Sequence, residues 1–376
     1  MAKSRPPTAS ATADVLDERW AEWDQFVAAH PHGGFMQSSS WIRCRAGDGY
    51  DHLAIMLRDE DRQLAGGAVV GRWAYGDNQA FRYIQEGPLL PDDPELAEAV
   101  MNAVLARLEH HRRDDAALVS HLRIEPRRSS WPAFASMGFG PPPCDDRFRE
   151  PRQTSCVNLR APEDERLQAM KPKGRYNVRL AQRHGVSVVE DNSEQGLDDF
   201  LAIRNDTARR QVLKRKSRRY FIDMRREFGP RAQLFFAELA GRRLASALVI
   251  RFGERATYLY GGSLDEKREV MAPYLLHHEI MNRMAAAGCT CYDLWGTSPP
   301  EQPAHAWTAI SAFKRKFGGA ELVHVPTLDH IYDRAAYARF VEAEGERERT
   351  TERTTDRTTD HTTDCARPLA VEALAL

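Results

Sequence analysis

Long apolar runs are missing from this sequence. No stretch of its 376 residues approaches the roughly 18 uninterrupted apolar positions that a membrane-spanning helix needs. The charged start Met1-Ala-Lys-Ser-Arg-Pro-Pro7 is followed by no apolar segment of the kind a secretory signal carries. Net charge is missing as well: 53 Lys+Arg against 54 Asp+Glu leave −1. A chain basic throughout, the simplest kind of nucleic-acid binder, is thereby excluded, although a local basic patch is not. Cysteine is sparse, at six residues (44, 144, 156, 289, 291 and 365). Cys289-Thr-Cys291 lies in an apolar, strand-like stretch with no second ligand pair nearby, and reads as buried hydrophobes rather than a metal or disulfide site. No nucleophile motif is present. The chain is expected in the cytoplasm, with no metal and no cofactor.

What is there suits a globular protein of two domains: the length allows two cores, and 42% hydrophobic and 9% aromatic residues supply them. Residues 1–13 are rich in Pro, Ala, Ser and Thr and are expected to be disordered. A helix carrying Trp20, Trp23, Phe26 and Val27 on one face follows, then a short helix with Trp41, Arg43 and Arg45. Strands are expected at 52–58, 64–73 and 81–85, a long amphipathic helix at 95–111, a strand at 118–124, a short helix at 131–137 and a strand at 154–159. The order then recurs: helices at about 163–184 and 197–228 around a strand at 186–189, strands at 234–239, 244–252 and 256–260, a helix at 273–287, a strand at 291–295, a helix at 305–317, a strand at 321–326 and a final helix at about 333–343. An antiparallel hairpin feeding a strand, then a helix and another strand, is the layout of an N-acyltransferase (GNAT) module. The fold expected is therefore α+β, two tandem GNAT-like domains, each a mixed, mainly antiparallel sheet flanked by helices. Domain 1 spans 14–160 and is completed by about 320–345; domain 2 spans 161–319. The four-residue Arg-Thr-Thr-acid repeat of the tail, 346–376, has nothing to bury and is expected to be disordered.

Several segments then resemble the Fem family of peptidoglycan-branching enzymes. Gln37 followed by Trp41 resembles its Q-x-x-x-W segment, and Tyr83-Ile-Gln-Glu-Gly-Pro88 its Y-x-x-x-G-P strand end. Met170-Lys-Pro-Lys-Gly-Arg-Tyr-Asn-Val-Arg179, followed by Gly185-Val186, is similar to its basic helix. Tyr258-Leu-Tyr-Gly-Gly-Ser263, Ala272-Pro-Tyr274 and Tyr292-Asp-Leu-Trp-Gly296 resemble the core of its second domain, and Phe313-Lys314 with Phe317-Gly-Gly319 its F-K…F-G-G end. The resemblance covers about residues 20–340, and the compact FemX form is the closer match. It implies transfer of an amino acid from aminoacyl-tRNA to an amine of a stem peptide, on a UDP-linked or lipid-linked muropeptide, with peripheral contact to the inner membrane face open.

The residues weigh on that reading one by one. A CoA-dependent GNAT cradles pyrophosphate on the N–H groups of a glycine-rich loop at a helix N-terminus. Here the corresponding Arg268-Glu-Val-Met-Ala-Pro273 has Met271 and Pro273 in place of glycines. Between Lys171 and Arg219 thirteen Lys/Arg stand against six acids. Lys171, Lys173 and the every-fourth-residue series Arg175, Arg179 and Arg183 form a stripe suited to a phosphate backbone, or else a solvated helix face. Lys314 is either an amphipathic lysine at the core edge or, as the resemblance implies, the cation that stabilises the transferring acyl group, with Phe313 positioning it. For the acceptor the resemblance implies Trp41, Arg45 (or Arg43), Glu125 and Tyr260. Asp223 stands where FemX-like chains carry a phosphate-binding arginine, with Arg225 and Arg226 as substitutes. Two rivals remain: an N-acyltransferase using acyl-CoA on a polysaccharide or small-molecule amine, and a non-catalytic RNA-binding protein on the same scaffold.

Overall fold

A computed structural model describes residues 9–46, 51–75, 78–130, 133–143, 150–211, 216–299, 302, 305 and 307–345. In chain order the elements are α1 (Ala9–Ala29), α2 (Ser39–Ala46), β1 (Asp51–Arg58), β2 (Leu64–Tyr75), β3 (Gln79–Ile84), α3 (Pro94–Arg113), β4 (Leu118–Ile124), α4 (Ala133–Ser136) and β5 (Phe139–Gly140). Next come β6 (Gln153–Asn158), α5 (Glu163–Ala169), α6 (Pro172–Arg183), β7 (Ser187–Glu190), α7 (Glu194–Gln211), α8 (Arg218–Phe228), β8 (Ala232–Leu239), β9 (Arg242–Phe252) and β10 (Arg255–Ser263). The chain continues through α9 (Ala272–Ala286), β11 (Cys291–Gly296), α10 (Thr308–Lys314), β12 (Ala320–Val323) and β13 (Leu328–Ile331), with a terminal helix over 334–345.

These strands form two mixed sheets, ordered β1-β2-β3-β4-β13-β5 and β12-β6-β11-β10-β9-β8-β7. Each has a single parallel pair, β3/β4 and β10/β11, and is otherwise antiparallel. The two α+β, GNAT-like sheets read from the element order are present.

Packing follows from periodicity. Helix α3 buries Ala97, Val100, Met101, Val104 and Leu108, one face at three- and four-residue spacing, against Ile55, Val70, Ile84 and Leu122 of the first sheet. Asp93 caps it by accepting from the Leu96 N–H at 2.8 Å, and Pro94 occupies its first turn. In the second domain α6 and α9 cover one face of β8–β10. A third cluster belongs to both halves: Trp23, Val27, Phe35 and Trp41 pack with Phe200, Phe221, Phe228 and Leu248. The domains are therefore joined by core.

Several expectations change. Strand β6 belongs to the second sheet, between β12 and β11, so the first domain does not run to 160 and the second does not start at 161. Strand β12 also belongs to the second sheet; β13 and the terminal helix complete the first. Alternation identifies a strand but not its partner, which here is set by Cys156 lying opposite Asp293. The terminal helix lays Phe340 on Tyr75 and Phe81, at ring-centroid distances of 5.0 and 5.2 Å. Residues 9–13 are helical in α1, whereas 1–8 and the tail 346–376 lie outside the described residues. The helix read over 163–184 is two, since the extended backbone of Met170 and Lys171 ahead of Pro172 breaks it. Ser217 caps α8, separating it from α7. The helix read over 131–137 is α4, with Trp131 and Pro132 outside the described residues. No helix among the described residues is long and apolar enough to cross a membrane.

Candidate active site

The two parallel pairs differ in how far they run. Strands β3 and β4 pair, across one register shift after Ala80, as far as Ile84↔Ile124, and the Glu125 N–H then donates to the Ile84 carbonyl at 3.1 Å. Strands β10 and β11 pair only at Arg255↔Cys291, Ala256↔Tyr292 and Thr257↔Asp293. Lys314 is set at that short pairing: its Nζ donates to the Gly296 carbonyl at 2.7 Å and lies 6.0 Å from the Tyr258 ring centroid. Burial lowers its pKa to about 8, against the opposing pull of Asp293 and Glu321. Phe313 packs edge-on against Tyr274, His277 and Phe317, at 5.1–5.6 Å. Gly296 is required here, since a Cβ at that position would lie 2.8 Å from both Pro151 and Trp307. Gly318, at φ +77°, takes the chain so close to Ala169 that a Cβ would sit 2.3 Å from its carbonyl oxygen.

Behind β11 a buried charge chain crosses the domains. Arg127 of the first domain pairs with Glu86 and, at 2.9 Å, with Asp293, which also meets Arg255 at 3.2 Å. The Thr154 hydroxyl and the Trp295 N–H complete the set of donors to Asp293. Burial opposes the Asp293 charge, but Arg127 and Arg255 hold its carboxyl at about 2.

The acceptor candidates Trp41, Arg45 and Tyr260 are buried where the two halves pack together. Arg45 is buried with its guanidinium 5.2–5.8 Å from the rings of Trp41, Trp73 and Tyr220. Arg43 points away and pairs with Glu227 at 3.0 Å, so only Arg45 of the two is among these rings. The Tyr260 hydroxyl is 3.0 Å from that of Tyr220, and burial raises its pKa to about 12. Trp41 donates from Nε1 to Gln85 at 3.2 Å. Gln37 is a brace: it bonds the backbone of Val69 on both sides, and its Nε2 reaches the Gln85 carbonyl at 2.6 Å. Glu125 is buried with its carboxylate enclosed. It accepts from Tyr83, from Thr327 at 2.8 Å and from the Glu150 N–H at 2.9 and 3.0 Å, and burial pushes it up to about 7.

Asp223 is buried and paired with Arg219 and Arg226 at 2.7 and 2.8 Å. Arg225 is turned to the Asn192 carbonyl and Glu194, so neither expected substitute is a spare cation. Arg204 is buried with its guanidinium 5.3 Å from the Tyr260 ring centroid and 5.5 Å from that of Phe221. On α6, Lys171, Lys173, Arg179 and Arg183 are exposed, whereas Arg175 is half-buried and donates to the Gln168 carbonyl at 2.8 Å and to that of Met170. Arg175 thus closes the C-terminus of α5, a backbone role that the four-residue spacing did not disclose.

Arg204 and Glu150 escaped the sequence reading. Arg204 had a signal, for it stands beside Leu197, Phe200, Ile203 and Thr207 on the apolar face of α7. Glu150, at the end of a charged stretch of sequence, had none.

Residues 18–130 match the FemAB family, and residues 172–315 match the acetyltransferase (GNAT) domain. The chain is similar to Fem-type bridge aminoacyltransferases over most of its length. A UDP-N-acetylmuramoylpentapeptide-lysine N(6)-alanyltransferase of Weissella viridescens is 22% identical over 346 residues, covering 85% of this chain and 96% of that protein. A Lipid II:glycine glycyltransferase of Staphylococcus aureus is 22% identical over 401 residues, covering 84% and 92%. The solved structure of FemX superposes with a TM-score of 0.77 at 18% identity, over 86% of this chain and 98% of its own, which establishes a shared fold. Trp295 shares the aromatic core with Trp41, beside Arg45, and the adjacent Gly296 carbonyl accepts from Lys314.

Proposed function

We propose that the protein transfers an amino acid from aminoacyl-tRNA to an amine of a peptidoglycan precursor stem peptide. The observation that carries this reading is the Lys314 ammonium, buried and aimed by Gly296 where β10 and β11 cease to pair. The acyl group of an aminoacyl ester is already activated, so attack by an amine needs no enzyme nucleophile. It needs a place for the oxyanion of the tetrahedral intermediate, and a fixed ammonium in a dry site supplies one. With a pKa of about 8, Lys314 carries that charge at neutral pH. Phe313, wedged among three rings, fixes the helix turn that presents it.

Three further features support the same reading. The N-terminus of α9, where a CoA pyrophosphate would rest, is poorly supplied with donors: the Met271 N–H is engaged by Arg268, that of Tyr274 by Met271, and Pro273 has none. Arg45 and Arg204, held on aromatic rings, suit an anionic acceptor carrying phosphate, whether UDP-linked or lipid-linked. The exposed Lys171, Lys173, Arg179 and Arg183 suit the tRNA backbone. Charged tRNA as donor places the reaction in the cytoplasm, and a lipid-linked acceptor would bring the protein to the inner membrane face.

The test is transfer of labelled amino acids from a full set of charged tRNAs to UDP-linked and lipid-linked stem peptides, with muropeptides weighed from cells lacking the protein. A labelled product and a lost cross-bridge residue are expected. Transfer from acetyl-CoA in place of charged tRNA would establish the acyl-CoA alternative.

A further inference from the structure

Glu150 is a carboxyl that no step above employs. Its neighbour Glu125 is saturated by donors from Tyr83, Thr327 and the Glu150 backbone, and so serves as a fixed negative charge behind it. The Glu150 side chain is aimed from the other direction: Trp41 donates to Gln85, and Gln85 donates to Glu150 Oε1 at 2.8 Å. That chain begins at the ring against which Arg45 is held. The next residue, Pro151, packs on Gly296 so closely that a Cβ there would meet it at 2.8 Å, and Gly296 is the residue whose carbonyl holds Lys314. Contacts therefore link Glu150 on one side to Trp41 and, through Pro151, to the residue that holds the lysine, and together with Glu125 and Trp295 it lines a small cavity of about 30 Å³.

Among the described residues, Glu125 at the end of β4, Glu86 after β3, Tyr260 on β10 and Lys216 before α8 act on Glu150, and Arg127, Arg152 and His324 line the same cavity. Burial, then Glu125 and Glu86, raise the Glu150 carboxyl well above the ordinary range; Lys216 and the Gln85 bond pull the other way. Its carboxylate is therefore a stronger base than an exposed one.

We infer that Glu150 is the catalytic proton acceptor for the attacking amine. The inference rests on the aminoacyl-transfer reading above. Starting from the neutral amine, its nitrogen forms the C–N bond to the ester carbonyl while one N–H proton passes to the Glu150 carboxylate. The intermediate then collapses, the C–O bond of the ester breaks, and the departing ribose oxygen takes that proton from Glu150. The products are the amide and the free tRNA hydroxyl, with Glu150 restored.

The test is Glu150→Gln, which keeps the size of the side chain and an oxygen for Gln85 but removes the basicity. We expect kcat/KM to fall by about 10²–10⁴-fold with the thermal midpoint unchanged. We also expect the slope of log kcat/KM against pH on the acid side to drop from two to one, because the ionisation of the amine itself remains. Glu150→Asp should recover part of the rate together with the steeper slope, a pattern that a merely structural role would not produce. A Glu150→Gln enzyme within threefold of wild type, or one with an unchanged slope, overturns the inference while leaving aminoacyl transfer standing. A wild-type protein that transfers from no charged tRNA overturns both.

Discussion

Replacing Lys314 by Met removes the charge while keeping length and apolar bulk, and its effect on stability can be worked from the environment of the ammonium. An ordinary lysine titrates near roughly 10.4. Lys314, buried under Gly296, titrates at about 8, with burial the largest cause. At about 1.4 kcal/mol per pH unit, the native state carries a penalty of about 3 kcal/mol wherever both folded and unfolded chains hold the proton. That penalty is complete below pH 8. Between about 8 and 10.4 the native state has released the proton and the unfolded chain has not, so wild-type stability rises with pH relative to the variant. Above that interval the penalty is gone.

The Met variant has no such dependence. Its loss of the donor to the Gly296 carbonyl is an offset that does not vary with pH, and other groups titrating in the interval cancel in the difference. Denaturant unfolding of both proteins at half-unit steps from pH 7 to 10.5 should show wild type minus variant growing by about 3 kcal/mol. Turnover of the variant should meanwhile fall by about 10²–10³-fold, since the oxyanion loses its cation. A difference that stays flat within about 0.5 kcal/mol, against the 3 kcal/mol expected, means that the ammonium is solvated. The argument for a dry, pre-set charge then fails with it.

Changing Arg179 and Arg183 together to Ala should weaken tRNA binding and make the slope of log K against log salt shallower by about 1.4–1.8, the share of two phosphates; an unchanged slope leaves α6 a plain surface. Arg45→Ala should raise the acceptor KM with a milder effect on kcat, because a phosphate grip serves ground and transition states alike; initial-rate kinetics across acceptor concentration decide it. Acetyl-CoA should give no heat of binding in calorimetry up to millimolar concentration, and a well-fitted Kd near about 10 μM would sink the tRNA donor reading. Arg127→Met leaves Glu86 and Asp293 buried without their shared cation, and should cost about 3–5 kcal/mol in denaturant unfolding; a loss of under about 1 kcal/mol contradicts that account of the domain junction.

Much of the fold was legible because helices and strands bury faces at fixed periods. Val100, Met101, Val104 and Leu108 announce α3, and the hairpin flanking Ala240–Gly241 announces β8 and β9. What periodicity cannot carry is pairing across long separations. Strand β6 reads as a strand from either domain, and its place depends on Cys156 meeting Asp293 well over a hundred residues away. The site shows the same division. Lys314 and Arg45 were legible only through resemblance, since composition alone leaves a lysine between two phenylalanines ambiguous. Arg175 was misread because helical spacing places side chains on a face without saying whether a free carbonyl lies beneath them. Glu150 was invisible, being one acid at the end of a charged stretch of sequence until Gln85 and Gly296 are brought to it by the fold.

The two parallel pairs show why the domains work only together. Each sheet carries an acid on the second strand of its pair or just past it, Glu125 after β4 and Asp293 on β11. Glu125 lies where the β3/β4 pairing is carried on through the Glu125–Ile84 bond, and donors from its own domain and the following loop satisfy it. Asp293 lies where β10 and β11 stop pairing, and half of its counter-charge is Arg127, supplied by the first domain. A buried carboxylate without its cation is expensive. The second domain alone would therefore hold Asp293 with Arg255 only, while the first alone would hold Arg127 against Glu86 only. Each would keep one ion pair but lose the Arg127–Asp293 bridge that joins the two halves. The continuous core from Trp23 and Phe35 to Phe221 and Phe228 fixes the two halves in the one arrangement that satisfies both. That same arrangement packs Trp41 with Trp295 in one core, while the next residue, Gly296, accepts from Lys314.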